Sequence, residues 1–239
     1  MLLSITLNTV IAFATAPGFA IALFIYLMDK HEREPIRLLI LSFFYGILSV
    51  ALTLFITSVI EQFIPAFENI LIDEFIHAFF AVAFVEEFSK YAFLILLLYP
   101  LKDFNEPFDG IVYAVMIKMG FATLENIMYS INGGIDVAIL RMFTAVPAHG
   151  SFAIIMGYFV GIAKFKHKNR LFGLIGLLSA TIMHGFYDYF IFISHIPGVI
   201  VGSLISLIVG IILSLNAIRI HSDASPFRKR ILRRKKQNG

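Results

Sequence analysis

Long apolar segments alternate with short polar breaks along the chain. Each segment is close to the ~20 residues that an α-helix needs to cross ~30 Å of hydrocarbon. Most breaks contain proline or paired glycines, which end helices and favour turns. The pattern predicts seven membrane-spanning helices, over residues 5–28, 37–60, 75–99, 109–131, 143–163, 171–193 and 198–218.

Continuous apolar segments favour helices over membrane β-strands, which would alternate apolar and polar residues over ~10 positions. A helix also satisfies its own backbone hydrogen bonds inside the bilayer. We therefore expect an all-α, polytopic bundle in the cell membrane. It would form one domain over residues 1–218, followed by a basic tail over residues 219–239.

Composition supports this class of protein. Hydrophobic residues make up 59% of the 239 positions and charged residues 15%, with a mean hydropathy of +0.87. Soluble domains are typically about 45–50% apolar and about 25% charged. These values exclude a soluble enzyme, a disordered protein and a collagen-like fibre. The absence of cysteine also excludes disulfides, thiolate zinc sites and a cysteine nucleophile.

Lysine and arginine are distributed unevenly between the breaks. Sixteen of the nineteen lie in the breaks after the first, third and fifth segments or in the tail, whereas the alternate breaks contain one. The positive-inside rule then predicts an extracytoplasmic N-terminus and a cytoplasmic C-terminus. A basic cluster directly after a membrane helix is typical of contact with anionic lipids, so we expect membrane lipids rather than nucleic acid as its partner.

Eight ionisable residues lie well inside the apolar segments, where charged groups are costly and usually face a bundle interior or a water-filled cavity. They are Glu86, Glu87, Lys90, Lys118, Glu125, His149, His184 and Asp188. Asp109, Arg141 and His77 lie near segment ends, where we expect them to be interfacial and solvated.

Spacing and depth indicate that the intramembrane residues meet. Lys90 lies four residues after Glu86 and three after Glu87, so it can pair with either carboxylate, while His184 and Asp188 share one helix face. In the predicted orientation, the acids and histidines lie between the midplane and the extracytoplasmic face, on four helices. A shared depth predicts a cavity that opens to the outside.

A pair of carboxylates with histidines is suited to hydrolysis. Two neighbouring carboxylates in a site of low dielectric constant cannot both ionise easily, so one can act as a general base near neutral pH. A histidine can complete the proton path or stabilise an oxyanion. We therefore expect a hydrolytic site without a metal or other cofactor. The same side chains could also form a nonstandard zinc site or only specify helix packing.

Three short motifs resemble those of a known family. Residues 86–90 (EEFSK), 121–125 (FATLE) and 184–188 (HGFYD) match the EExxK, FxxxE and HxxxD motifs of the PrsW family of membrane proteases. The resemblance implies a membrane-embedded endopeptidase that makes the first, extracytoplasmic cut in a single-pass anti-sigma factor. This cut would begin regulated intramembrane proteolysis, free a sigma factor and serve a stress response.

The resemblance also implies roles for individual residues. The family is similar to the wider CAAX-protease superfamily. By analogy with that superfamily, Glu86 and Glu87 would activate water, and Glu125 would act as a second acid or proton relay. His184 with Asp188 would stabilise the oxyanion. The candidate catalytic residues are Glu86, Glu87, Glu125, His149, His184 and Asp188, and the candidate supporting or substrate-binding residues are Lys90 and Phe121. The superfamily has histidine in place of Glu125, so its mechanism applies only by analogy.

Two other functions fit the same residues. Chains of acids and histidines also serve as proton relays, so a proton-coupled transporter or channel is the main alternative. A non-catalytic receptor that binds a peptide is the second. Lys118 matches no motif of the family, and its role is left open by the sequence.

Overall fold

The computed structural model describes the backbone of residues 2–166 and 169–228, and the side chains from Leu7 onward. Lys168 and residues 229–239, which hold most of the predicted basic tail, lie outside the described residues. The α-helices are α1 (Leu2–Met28), α2 (Ile36–Ile60), α3 (Ile70–Ile76), α4 (Phe84–Phe93), α5 (Pro107–Phe143), α6 (Ala145–Phe165), α7 (Leu171–Phe192) and α8 (Val201–Ala224). Two π-helical segments, His77–Ala83 and Leu94–Leu98, flank α4. The predicted all-α fold is confirmed.

Within the described residues, five helical stretches are long and apolar enough to cross a membrane, as expected of a multi-pass membrane protein. They are Leu7–Met28, Ile36–Ile60, Pro107–Phe165, Leu171–Phe192 and Val201–Ala224. The predicted fourth and fifth segments both lie within Pro107–Phe165, which is why the stretches number fewer than the seven predicted. The region of the predicted third segment is helical over residues 70–98. It consists of short α-helical and π-helical pieces, and none of these alone is long enough to cross a membrane.

Gly134 reverses the chain between the predicted fourth and fifth segments. Its φ of 76° is a left-handed conformation that glycine adopts more readily than other residues. The Arg141 Nε atom donates a hydrogen bond to Asn126 Oδ1 at 3.0 Å, although 15 residues separate them and a straight helix of that length spans about 22 Å. The last part of α5, residues 135–143, is therefore a short helical arm that folds back over the part of α5 before Gly134.

Helix α5 is the centre of the bundle. All of its residues from Phe108 to Thr123 are buried, and it packs against α1, α2 and α6. Helices α7 and α8 pack on α6, while α4 packs between α2, α5 and α7. Polar side chains on the buried faces of α4, α5, α6 and α7 therefore meet inside the protein rather than in lipid.

Glycine lets α2 and α5 approach each other closely. A Cβ atom at Gly120 would meet the backbone carbonyl of Phe43 in α2, and one at Gly46 would meet the carbonyl of Ile117 in α5. Small residues at such contacts allow close backbone packing in membrane bundles. The contact fixes α5 just before Phe121, where the second motif begins.

We expect Gly120→Ala to destabilise the bundle by about 1–3 kcal/mol, because the added methyl group would overlap a backbone atom that cannot rotate away. Gly150→Ala is the matched control, since its Cβ would meet only flexible side-chain atoms of Ile21 and Met119. Thermal unfolding in detergent, followed by circular dichroism, measures both variants. Equal melting temperatures would contradict the close contact of α2 with α5.

Candidate active site

Acidic, basic and histidine side chains from several helices converge on one cavity of about 540 Å³. The cavity lies between α4, α5, α6 and α7 and extends to the π-helical segment His77–Ala83. Its polar lining residues are His77, Glu86, Glu125, Tyr129, Arg141, Thr144, His149, His184, Tyr187 and Asp188. Five of the six candidate catalytic residues are among them. The sixth, Glu87, lies directly behind the cavity wall.

Glu87 joins three helices through one oxygen atom. Its side chain is fully buried, and Oε1 accepts hydrogen bonds from Lys118 of α5 and from His184 Nδ1 of α7, the latter at 2.8 Å. The Lys90 Nζ atom of α4 lies 3.6 Å from the same oxygen. Buried carboxylates persist only when they are paired and hydrogen-bonded, and these three donors supply that pairing.

Glu86 faces the cavity, in contrast to its neighbour. Its side chain is 11% exposed, and Oε2 accepts a hydrogen bond from Lys90 Nζ at 2.7 Å, as the i,i+4 spacing predicted. The same ammonium lies 3.5 Å from the centre of the Phe121 ring, which is within cation–π distance. Two adjacent glutamates therefore occupy different environments, one at the cavity wall and one behind it.

His184 lies between two carboxylates. Nδ1 contacts Glu87, and Nε2 lies 3.1 Å from Asp188 Oδ2, as expected from their shared helix face. The ring of Phe152 stacks on the imidazole with 5.2 Å between ring centres. Because both nitrogens face carboxylate oxygens, neither presents a free lone pair to the cavity.

His149 is held by Glu125. Nε2 lies 2.8 Å from Glu125 Oε2, and Arg141 Nη2 lies 2.9 Å from the same oxygen. The other nitrogen of His149, Nδ1, is buried and has no hydrogen-bond partner within the part of the chain that the structure describes. The Glu125 carboxylate therefore orients an imidazole whose second nitrogen is free.

A second cavity of about 470 Å³ adjoins the first between α2 and α5. Its lining includes the apolar side chains of Val50, Leu54 and Met128. Glu86 and Glu125 line both cavities. These two carboxylates therefore stand where an apolar groove on the side of the bundle meets the polar interior.

The two π-helical segments place α4 in this site. In a π segment the backbone bonds run from residue i+5 to residue i, as in the bonds from Phe84 N to Phe79 O and from Tyr99 N to Leu94 O. A π turn holds more residues than an α turn, so it changes which side chains share a face on either side of it. Such segments occur frequently at functional sites, and here they flank the helix that carries the first motif.

Two cations of the site were missed by sequence reasoning. Lys118 pairs with Glu87, 31 residues away on another helix, and spacing along a single helix cannot reveal such a partner. The only signal was a lysine within an apolar segment. Arg141 was expected to be interfacial and solvated, and this is wrong. Its side chain is 16% exposed, because the turn at Gly134 brings it back onto Glu125.

The donor set of the site also fits a divalent transition metal. Glu86, Glu87, His149 and His184 each offer one ligand atom, these atoms lie within 4.8 Å of one another, and all four residues are buried. Carboxylate oxygen and imidazole nitrogen are common zinc ligands. Lys90 and Lys118 already bond the two carboxylates, so positive charge is present beside these donors.

A second group of acids lies at the other end of α5. Asp109 was expected to be solvated, and this is wrong, since it is fully buried and accepts hydrogen bonds from backbone amides at the start of the helix. In the adjoining loop, burial raises the pKa of Glu34 to about 7. Burial, together with the carboxylates of Glu106 and Glu34, raises the pKa of Asp29 to about 7. Negative charge is thus poorly compensated here.

Known proteins match most of the chain. The model of a family described as "PrsW family intramembrane metalloprotease" matches residues 34–215. Proteins named Protease PrsW from Geobacillus kaustophilus and Bacillus subtilis are 37% and 36% identical over 182 residues, which cover 76% and 75% of this chain and 79% and 81% of theirs. The Protease PrsW of Clostridioides difficile is 35% identical over 175 residues, or 70% of this chain and 72% of its own.

No solved structure matches the chain. The three motifs found in the sequence lie within the range that the family model covers. Their side chains meet around one cavity of a membrane bundle. Since the family model spans most of the chain and relatives more than 30% identical cover most of it, the chain belongs to the PrsW family of intramembrane peptidases.

Proposed function

We propose that the chain is an endopeptidase that cuts a single-pass membrane protein with water activated by Glu86 and His149. One observation carries the proposal. A carboxylate oxygen of Glu86 and one ring nitrogen of His149 lie within 4.8 Å of each other, and Nδ1 is the ring nitrogen of His149 that has no hydrogen-bond partner among the described residues. A water that donates one proton to each acceptor at about 2.8 Å can bridge up to about 5.6 Å.

The reaction adds this water across a peptide bond. The water oxygen attacks the carbonyl carbon while the Glu86 carboxylate takes one of its protons. The carbon–nitrogen bond of the tetrahedral intermediate then breaks, and the proton passes from Glu86 to the departing nitrogen. The products are a new carboxyl group and a new amino group, and Glu86 is a carboxylate again.

Glu125 orients His149 for this step. With the ring proton on Nε2, the Glu125 carboxylate accepts it at 2.8 Å and leaves the Nδ1 lone pair for the water. Arg141 contacts the same carboxylate and stabilises its negative charge. The carboxylate thus fixes the tautomer and orientation of the imidazole, as in other acid–histidine pairs.

His184 has a different role, because both of its nitrogens face carboxylates. A ring held in this way carries positive charge and offers no free lone pair. We assign its positive charge, rather than a hydrogen bond, to the stabilisation of the negative oxygen that forms on the substrate carbonyl. Asp188, which lines the cavity, fixes the ring through Nε2.

Glu87 is a positioning residue in this mechanism. It is fully buried behind the cavity wall, and its Oε1 atom already accepts hydrogen bonds from Lys118 and His184. Its carboxylate fixes Lys90, Lys118 and His184. The family resemblance implies that both glutamates activate water, whereas the geometry supports Glu86 for that role.

The family resemblance points to a single-pass anti-sigma factor as the substrate. An extracytoplasmic cut would begin regulated intramembrane proteolysis and free a sigma factor during a stress response. The groove between α2 and α5 supports lateral entry of a membrane segment, since its apolar lining leads to Glu86 and Glu125. A substrate segment would then reach the water from the lipid phase.

We expect Glu86→Gln to lower the rate of substrate cleavage by about 10²-fold or more, because a neutral amide cannot accept the proton of water. Cells that lack the native gene would express either the wild-type chain or this variant at equal level. Under envelope stress, and with the downstream intramembrane protease removed, N-terminal peptide mapping of membrane proteins measures the cut. A new N-terminus just outside the membrane span of one single-pass protein should occur only with the wild-type chain.

Glu68→Gln is the matched control, because it removes an exposed carboxylate outside the site and should leave cleavage unchanged. If Glu86→Gln also generated the new N-terminus, Glu86 would not be the base. If the wild-type chain produced no cut, the peptidase proposal would fail. The next hypothesis to test would then be a proton-coupled transporter, by measurement of substrate flux in proteoliposomes.

A bound metal would be held by Glu86, Glu87, His149 and His184, and it would supply a Lewis acid and a water of lowered pKa. We propose instead that lysine supplies the positive charge. Lys90 bonds Glu86, and Lys118 bonds Glu87. Each carboxylate therefore already has a cation of its own.

We expect the purified protein to keep its peptidase activity after removal of transition metals with phenanthroline, because the paired lysines and not a metal balance the two glutamates. The measurement is cleavage, in detergent, of the substrate that peptide mapping identifies, together with metal analysis of the same sample. One zinc ion per chain, with activity that is lost on chelation and restored by zinc, would show that a metal drives the reaction.

A further inference from the structure

Three acidic side chains gather at the end of α5 that lies away from the catalytic cavity. Glu32 and Glu34 belong to the loop between α1 and α2, and Asp109 belongs to the first turn of α5. One carboxylate oxygen of each lies within 4.8 Å of the others. Asp109 precedes Glu125 by sixteen residues, or about 24 Å along the helix, so this acidic cluster is separate from the catalytic site.

The two buried carboxylates are each fixed through one oxygen. Asp109 Oδ2 accepts hydrogen bonds from the backbone nitrogens of Asn105 at 2.6 Å and Glu106 at 2.8 Å. Glu34 Oε2 accepts one from the hydroxyl of Tyr113. The remaining oxygens, Asp109 Oδ1 and Glu34 Oε1, are buried and accept no hydrogen bond from an amide, a hydroxyl or a basic group among the described residues, and the two carboxyl groups lie within hydrogen-bond distance of each other. Both residues are at most 2% exposed.

Two cations near the cluster, Lys164 and Arg33, bond backbone carbonyl oxygens instead. Lys164 Nζ donates hydrogen bonds to two backbone carbonyl oxygens at 2.5 and 3.3 Å, and Arg33 Nε donates one to another at 3.4 Å. In residues 7–166 and 169–228, no lysine, arginine or histidine forms an ion pair with Glu32, Glu34 or Asp109. The free oxygens therefore lack a positive partner from this part of the chain.

We propose that Glu32, Glu34 and Asp109 bind a hard divalent cation, Mg²⁺ or Ca²⁺. Carboxylate oxygens are the ligands that both ions prefer, and the bound ion would supply the positive charge that no described side chain places against these oxygens. The ion would tie the loop between α1 and α2 to the first turn of α5. It would thereby hold the ends of these three helices together, on the far side of the bundle from the peptidase chemistry.

Manganese is the probe for this site, since it is paramagnetic and accepts oxygen ligands. Electron paramagnetic resonance of free Mn²⁺, titrated with the purified full chain in detergent, measures binding. We expect one site per chain, from which either Mg²⁺ or Ca²⁺ displaces Mn²⁺. Comparison of the two competing ions identifies the one bound more tightly. Glu34→Gln should remove the site, and Glu32→Gln should weaken it by about tenfold or more.

Two controls separate this site from other carboxylates. Glu68→Gln removes an exposed acid, and Glu86→Gln removes a donor of the catalytic cavity, so both should bind Mn²⁺ as the wild-type chain does. Glu32 is only partly buried, so we expect Glu32→Gln to fold. This variant therefore tests cation binding even if Glu34→Gln fails to fold. The proposal is overturned if the wild-type chain binds no Mn²⁺, or if folded Glu32→Gln binds it with unchanged affinity.

Discussion

The ion pair between Glu87 and Lys118 is the contact on which the rest of the site depends. A carboxylate inside a membrane bundle is stable only when a cation and hydrogen bonds satisfy it. Lys118 lies on α5, and the first sixteen residues of this helix after Pro107 are all buried. The pair therefore fixes α4 against the central helix. His184 binds the same oxygen and thereby sets the position of α7.

The two glutamates of the first motif have different roles, because Glu87 is held in ion pairs inside the bundle while Glu86 lines the cavity. Successive side chains of an α-helix point about 100° apart, so adjacent glutamates leave the helix in different directions even though both contact Lys90. Glu87 points to the interior, and Glu86 therefore points to the cavity wall. The pattern of two acids followed by a lysine, Lys90, thus combines a structural carboxylate with an accessible one on a single turn of helix.

The sequence predicts the helices well because bilayer thickness sets their length. It also predicts the pairs Glu86–Lys90 and His184–Asp188, since helical periodicity places residues four apart on one face. Pairs between helices are different. The Lys118–Glu87 pair depends on how α4 packs on α5, and the position of Arg141 depends on a single left-handed glycine turn. Neither is encoded in the spacing of polar residues along one segment.

A double-mutant cycle on Glu87 and Lys118 tests most directly whether this buried pair organises the site. Removal of one partner leaves the other as an unpaired buried charge, which destabilises by about 3–5 kcal/mol. Thermal unfolding in detergent should therefore show large losses for Glu87→Leu and for Lys118→Met. The variant that carries both substitutions should recover most of the loss, because Glu86 still balances Lys90 and Asp188 still balances His184. Losses that simply add in the double variant would contradict the account.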